Sequence, residues 1–599
     1  MTNMKKLMMF AVAGLLAPAA AHAEIRTATV SKIMAAPTND TAPVTGTPAR
    51  LRRTDSEQAG HEQATFAMFA DGKTGLYFDM ATEINGQPAN HRVQLGLVPF
   101  TLVKNTDGSI AATANMTAAK FVTNNDGDEY RNSHNPEAFA LPGGQLIAVA
   151  YNYQPQGTND TKRYMQVFNS AGVAVMPQTL YFAKNNDDCS MDMDKASSSV
   201  ADLGGGKYRI VSWNGCNGNG SDDGWTVIKE LTCDAAATSC TLKAIADVSV
   251  CPREERSHGT AQILSTDPNT AIVAWTEGNT QPQRDGTWMA AINVGAGQNG
   301  ANAQSRILWK KQIDGRKDID GIRTYSMRAM MTPVLSVDAT GKVATSDTFI
   351  WRSGDLRGDN NGNNGKGGTY YRSQMAVIKA NKDGMSYVAP LTDVAPKLLG
   401  LDGTHLGMAP ALFGTTDHLV PGITFLSGSH TGGGYSAQVR AVTFDAATNT
   451  FADGGMYGIA PYDRHLYPNY LGNNPGNQGR NFSNGKMIAN PFASAAGDDA
   501  YLMLFATNGK DPADMTKPEL KLSAYITVLP IAQTPKAVTP DPTPTDPGTG
   551  SGSSTPNPDP GAGGNDSGSA LGGCSAGGST GGLATFLLIG LAAFIRRRR

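Results

Sequence analysis

Leu146-Ile147-Ala148-Val149-Ala150-Tyr151 is an unbroken apolar run, too short for a helix and rich enough in β-branched and aromatic residues to suit a buried strand. Runs of the same kind recur at Thr65 to Ala70, Tyr208 to Trp213, Ala271 to Thr276, Val343 to Trp351, Leu419 to Ser427 and Tyr501 to Thr507. They stand roughly 60 to 80 residues apart and divide the chain into seven units, a period that marks a repeat architecture. After a polar loop each run meets an alternating strand pattern: Arg92 to Leu102, Arg163 to Phe168, Trp225 to Leu231, Trp288 to Val294, Tyr370 to Lys379, Tyr435 to Phe444 and Leu520 to Leu529. Four of these open on a glycine and an aromatic ring: Gly224-Trp225, Gly286-Thr287-Trp288, Gly368-Thr369-Tyr370 and Gly434-Tyr435. Weaker strands precede many runs, at Ala138 to Leu141, Ala261 to Ser265, Pro333 to Ser336, Pro410 to Phe413 and Pro491 to Ala493. Three or four antiparallel strands per unit, with no long helix, predict an all-β chain: a seven-bladed β-propeller over 61–530, whose radial repetition leaves only short edges. The alternative is two β-sandwich domains joined near residue 320.

Composition narrows the function. The 599 residues include 68 Gly and 33 Pro, are 17% charged and carry a formal net charge of −2. With no basic block before the last four residues, the clustered cations that release counterions from nucleic acid are missing, and no nucleic-acid partner is expected.

Both ends read as address labels. Lys5 and Lys6, the apolar stretch 7–20 and the small-x-small triplet Ala21-His22-Ala23 form a secretory signal, with cleavage after Ala23. Residues 24–60 read as an extended lead-in. Residues 531–573 are dominated by Pro, Gly, Ser, Thr and Asp, too poor in apolar groups to order themselves, and form a disordered linker. Within 574–599 a short apolar helix, Leu583 to Ile595, precedes Arg596, Arg597, Arg598 and Arg599. Its thirteen residues would span only about 20 Å as a helix, less than a bilayer core, so it reads as a stop signal.

The order of linker, Gly572-Gly573-Cys574-Ser575, apolar helix and arginine cluster closely resembles the myxobacterial C-terminal sorting tail of the MYXO-CTERM type. The resemblance covers residues 570–599 only. It implies recognition by a membrane-embedded sorting protease, cleavage near Cys574, transfer to the cell surface or outer membrane of a Gram-negative bacterium, and membrane association through the tail or Cys574.

Cys189, Cys216, Cys233, Cys240 and Cys251 lie in one exported stretch, where disulfides are permitted. Cys233 and Cys240 bracket a hairpin-sized loop and are the first candidate pair; Cys189 with Cys216 is the second. Oxygen side chains alternate at Asn124, Asp126 and Asp128, a pattern that suits calcium, although no full EF-hand is present and no cofactor is otherwise indicated.

Residues just before the innermost strands would ring one mouth of a propeller: His61, His134, Asp192, His258, Arg328, His405 and Lys486. Ser221 to Trp225 and Arg284 to Trp288 resemble, with altered spacing, the Asp-box turn of sialidase-like propellers, a structural element that implies no catalysis. The leading functional expectation is a non-enzymatic cell-surface binding or adhesion protein on a flexible stalk, part of a surface motility or envelope complex, with envelope polysaccharide or a surface protein as its partner. The alternative is an extracellular polysaccharide hydrolase or lyase. Its acid–base chemistry would come from the ionisable string around Glu255, Arg256 and His258, with His134.

Overall fold

The computed structural model describes residues 26–28, 30–34, 51–52, 64–81, 83–84, 87–88, 94–122, 134–153, 162–183, 198–218, 221–251, 259–277, 286–296, 303–315, 317–319, 322–337, 343–357, 369–393, 404–405, 411–413, 422–429, 438–445, 450–459, 482–493, 499–507, 510–511, 514–518 and 523–532. They are almost entirely strand; among them the only helical turns are Met116–Ala118 and Ala303–Arg306, both of the 3-10 type. No helix of the described residues is long and apolar enough to cross a membrane, and the apolar stretch 583–595 lies outside them.

Seven sheets of four or more strands follow one another along the described residues. The second is the simplest: His134–Ala140, Leu146–Tyr153, Lys162–Asn169 and Ala174–Phe182 pair in chain order as an antiparallel meander. The third (Ser198–Gly204 to Cys240–Cys251) and the fourth (Gly259–Ile263 to Ile307–Gly315) repeat that order. The fifth, Lys317–Ile319 to Gly384–Asp393, is a five-stranded meander. In the first sheet, Ile110–Ala114 and Lys120–Phe121 share the edge of Gln94–Lys104. The sixth and seventh sheets are built around Gly422–Ser429 and Asp499–Thr507, and each receives its last strand from the N-terminus. Arg26–Ala28 and Val30–Met34, from the segment read as a lead-in, are those strands.

The apolar runs are continuous because both faces of each middle sheet are covered. Ile147, Val149 and Tyr151 pack towards Leu76, Phe78, Leu95 and Leu97 of the first sheet. Their alternates Leu146, Ala148 and Ala150 pack towards Ile210, Val227 and Leu231 of the third. The third meets the fourth through Trp213, Val248, Val273 and Trp275, and the fourth meets the fifth through Ile272, Met289, Phe349 and Trp351. Phe66, Tyr77 and Phe100 of the first sheet share a cluster with Leu502 of the seventh. This serial packing corrects the two-sandwich alternative: the fourth and fifth sheets share a core across residue 320, where that reading placed a boundary. Residues 1–537 form one compact unit. The weak strand expected at Pro491 to Ala493 is a turn; the strand lies just upstream, at Phe482–Ala489.

The two ends of the sheets differ. At one end short turns are tied by their own side chains. Asp71 accepts from the Thr74 and Lys73 amides (2.8 and 2.9 Å), Asp107 from Ser109, Asn169 from Val173, and Asp234 from the Thr238 hydroxyl and amide. The Ser109 and Thr238 hydrogen bonds hold the Asp107 and Asp234 carboxyls below their usual range. The Cys233–Cys240 disulfide closes one such hairpin, as its spacing suggested. At the other end most strand ends are separated by longer stretches of sequence, among them 123–133, 154–161, 184–197, 252–258, 278–285 and 358–368, which lie outside the described residues; Gly218 and Ser221 are joined there by two residues only.

Candidate functional site

The interface between the second and third sheets changes character along its length. At the tight-turn end it is apolar, with Leu231, Val167 and the disulfide. Towards the end with the longer connections it turns polar while staying buried: Arg163 and Asn152 are 0% exposed, Asn214 1% and Glu137 8%. Period-two alternation explains the grouping, since Asn152 and Ala150 share one face of their strand and Arg163 sits directly across from Asn152.

Arg163 organises the cluster. One guanidinium nitrogen donates to Asn152 Oδ1 at 3.0 Å, and the other lies 3.4 Å from the Ala150 carbonyl and 3.6 Å from Glu137 Oε2. Glu137 reaches across to the third sheet, where it accepts from the Ser198 amide (2.9 Å) and hydroxyl (2.8 Å). A second bridge joins Tyr181 to Ser212 at 2.7 Å, and Asn214 donates to the same Ser212 hydroxyl at 2.8 Å. Lys229 lies over the Tyr181 ring and pairs with Asp247.

Burial dominates the electrostatics. It pulls the Arg163 guanidinium down to about 10, although Glu137 favours the charged form, so the group stays cationic at neutral pH. Burial likewise pushes the Tyr181 phenol up against the opposing pull of Ser212, and the phenol stays neutral. With its oxygens taken up by Ser198 and Arg163, Glu137 acts as an anchor between sheets.

Of the sequence-derived candidates, His134 falls at the same end. His134 opens the first strand of the second sheet, in register with Asn152. Glu255, Arg256 and His258 precede the first strand of the fourth sheet, Gly259–Ile263, and lie outside the described residues. So do Asn124, Asp126 and Asp128, Cys189, Ala21 and Ala23, Gly573, Cys574 and Arg596 to Arg599, as well as His61 and Asp192. Arg328, His405 and Lys486 stand within strands of the fifth, sixth and seventh sheets. Cys216 stands opposite Asp223, two residues before the end of its strand, and Cys251 is the register partner of the neighbouring Gly224, on the strand that flanks the other side. Ser221 to Asp223 are extended strand in register with Gly218 to Cys216, so the degraded Asp-box there is corrected to the start of a strand. Among the described residues no group of three or more His, Cys, Asp or Glu could hold a metal ion.

Sequence reading missed Glu137, Asn152, Arg163, Tyr181 and Asn214. Their partners are up to 61 residues apart in the chain, and no local spacing marks them.

No protein-family model matches the sequence, and no curated protein does. Solved structures similar to the chain include an α-L-arabinanase from Penicillium chrysogenum, 9% identical over 66% of this chain and 93% of that one, with a TM-score of 0.33. Another is a mutant of the NanB sialidase from Streptococcus pneumoniae, 12% identical over 82% of this chain and 71% of that one, with a TM-score of 0.32. Both are enzymes by name, an arabinanase and a sialidase, and against them the expectation of a non-enzymatic adhesion protein is corrected. At these identities the likeness concerns the fold alone.

Proposed function

We propose that the chain is an exported polysaccharide hydrolase or lyase, in which the seven sheets close as blades of one β-propeller and chemistry takes place at the end with the longer connections. The observation that carries this reading is topological. His134 and the segment 252–258 both lead into first strands at that same end, two sheets apart. Closure is supported by the cluster that joins Phe66 and Tyr77 to Leu502, and by Lys73, which lies 5.1 Å from the centre of the Phe492 ring.

Glu255 and His258, three residues apart on one segment, are assigned general acid–base roles, with His134 as a further proton carrier and Arg256 as the charge that stabilises developing anion. Glu137 is left out of the chemistry because Ser198 and Arg163 occupy its oxygens. The test is turnover of neutral and acidic polysaccharides by the full chain, read as new reducing ends for a hydrolase or unsaturated ends for a lyase. Glu255→Gln and His258→Ala are each expected to lower turnover by about 10²- to 10⁴-fold with an unchanged circular dichroism spectrum. Wild type that binds glycan without turnover, or variants as active as wild type, would overturn the assignment.

Export belongs to the same proposal. The signal sequence calls for it, and the Cys233–Cys240 disulfide fits an oxidising compartment. The C-terminal tail then delivers the enzyme to the cell surface. Protease shaving of intact cells and the intact mass of the product should show wild type exposed and trimmed near Cys574, and Cys574→Ala untrimmed in the membrane. An untrimmed, inaccessible wild type removes this part of the reading.

A further inference from the structure

Residues 26–34 carry two strands, Arg26–Ala28 and Val30–Met34, with Thr29 between them. The first runs parallel to Thr450–Ile459, the edge of the sixth sheet, with Arg26 opposite Tyr457 and Ala28 opposite Ile459. The second runs antiparallel to Ser523–Ala532, the edge of the seventh, with Val30 opposite Thr527 and Lys32 opposite Tyr525. One short segment thus borders two successive sheets. Without it both edges would present unpaired main-chain groups. Ser523–Ala532 reads Ser-Ala-Tyr-Ile-Thr-Val-Leu-Pro-Ile-Ala, uncharged and rich in β-formers, a composition that recruits other strands when left open.

The segment is tethered loosely by sequence. Residues 35–50 separate it from Leu51–Arg52, which pairs with Glu83–Ile84, and a chain of that length can extend to about 55 Å. The connection therefore does not dictate where the strands go, and main-chain pairing must hold them, aided by a tether that keeps the local concentration high. On the expected cleavage after Ala23, only Glu24 and Ile25 precede the first paired residue, so the strands would be the mature chain's own N-terminus.

We infer that the outer edges of the sixth and seventh sheets form an acceptor surface for an added β-strand, whose occupant is this chain's residues 26–34 acting as a detachable clasp. Recognition is through the main chain, in the manner of strand addition, so an equivalent peptide supplied in trans occupies the same edges.

The experiment places a specific protease site within residues 37–50 of the full chain, before the paired strand Leu51–Arg52, and cuts it after folding. The N-terminal fragment is expected to co-elute with the body in size-exclusion chromatography and to be displaced by excess labelled synthetic peptide spanning residues 24–36. A chain lacking residues 24–36 is expected to self-associate and melt at lower temperature, and the peptide restores the monomer. A peptide carrying Val30→Pro and Ser31→Pro fails, because one of two adjacent N–H groups faces the partner strand. Should the truncated chain not fold, the cut chain still decides. A fragment that leaves while the body stays monomeric with unchanged melting overturns the inference, because the edges then need no occupant. A fragment that no peptide displaces also overturns it, because the strands are then integral.

Discussion

Replacing Glu137 with alanine is expected to destabilise the protein by about 3–5 kcal/mol, the range found when one partner of a buried ion pair is removed. The side chains of Arg163 and Glu137 are 1% and 9% exposed, so solvent cannot take over the carboxylate's role. The variant takes the Glu137 counter-charge from a guanidinium already disfavoured by burial that faces Asn152 and a carbonyl. It also strips the Ser198 amide and hydroxyl of their acceptor, which uncouples the first strands of the second and third sheets. The pair itself is worth far less than its disruption, because both groups lost their hydration on folding. Glu137→Leu combined with Arg163→Met should therefore recover most of the loss, and Ser198→Ala alone should cost only about 1 kcal/mol. Urea unfolding of Glu137→Leu, Arg163→Met and the double variant gives the coupling directly. Additive losses would mean that the pair does not act as a unit.

The reason this anchor escapes sequence reading also explains how much of the fold did not. The apolar runs of Leu146–Tyr153, Lys207–Gly218 and Thr270–Glu277 are the second strands of the second, third and fourth sheets, buried on both faces, and burial on both faces is what makes a run continuous. In the first unit Thr65 to Ala70 marks the first strand instead: Thr74–Ala81, three residues beyond Asp71, is the more buried partner, but Gly75 and Asp79 interrupt its pattern. The fourth strands were illegible for a related reason. Ala174–Phe182 alternates only loosely, with Pro177, Gln178 and an exposed Leu180, because it lies at the sheet edge and is covered on one side. The strands contributed by residues 26–34 pair with partners more than 400 positions away, a relation no local pattern carries. At the candidate site, the ionisable string before Gly259 was visible because its charges are consecutive. Arg163 looked like an ordinary strand residue because its partners come from two other strands.

Trp275→Ala should rank beside the Glu137 variant, at about 3–5 kcal/mol, the usual cost of removing a large buried aromatic. Trp275 is 0% exposed and stacks on Trp213 with ring centres 5.7 Å apart and planes 14° from parallel. Its ring also lies 4.9 Å from the Lys310 ammonium, which sits 4.7 Å from Trp288 as well, so the truncation removes a cation–π partner along with the contact area. Gly259, in register with Trp275, shows why the cavity would not close: a Cβ at that position would overlap the Trp213 ring, so the backbone is already as near as the indole allows. Gly259→Ala is accordingly expected to destabilise by overpacking, at about 1–3 kcal/mol, less than the cavity left by Trp275→Ala. The two variants separate packing from chemistry. Gly259 directly follows His258, so pushing the strand start away from Trp213 moves the residue assigned to proton transfer, whereas Trp275→Ala leaves that strand's own backbone spacing intact. Gly259→Ala should thus lower kcat more than Trp275→Ala at a temperature where both are folded, although it costs less stability. Thermal melting followed by tryptophan fluorescence gives the stability order and steady-state kinetics gives the activity order. If activity simply tracks melting temperature in both, the start of the fourth sheet does not position the chemistry.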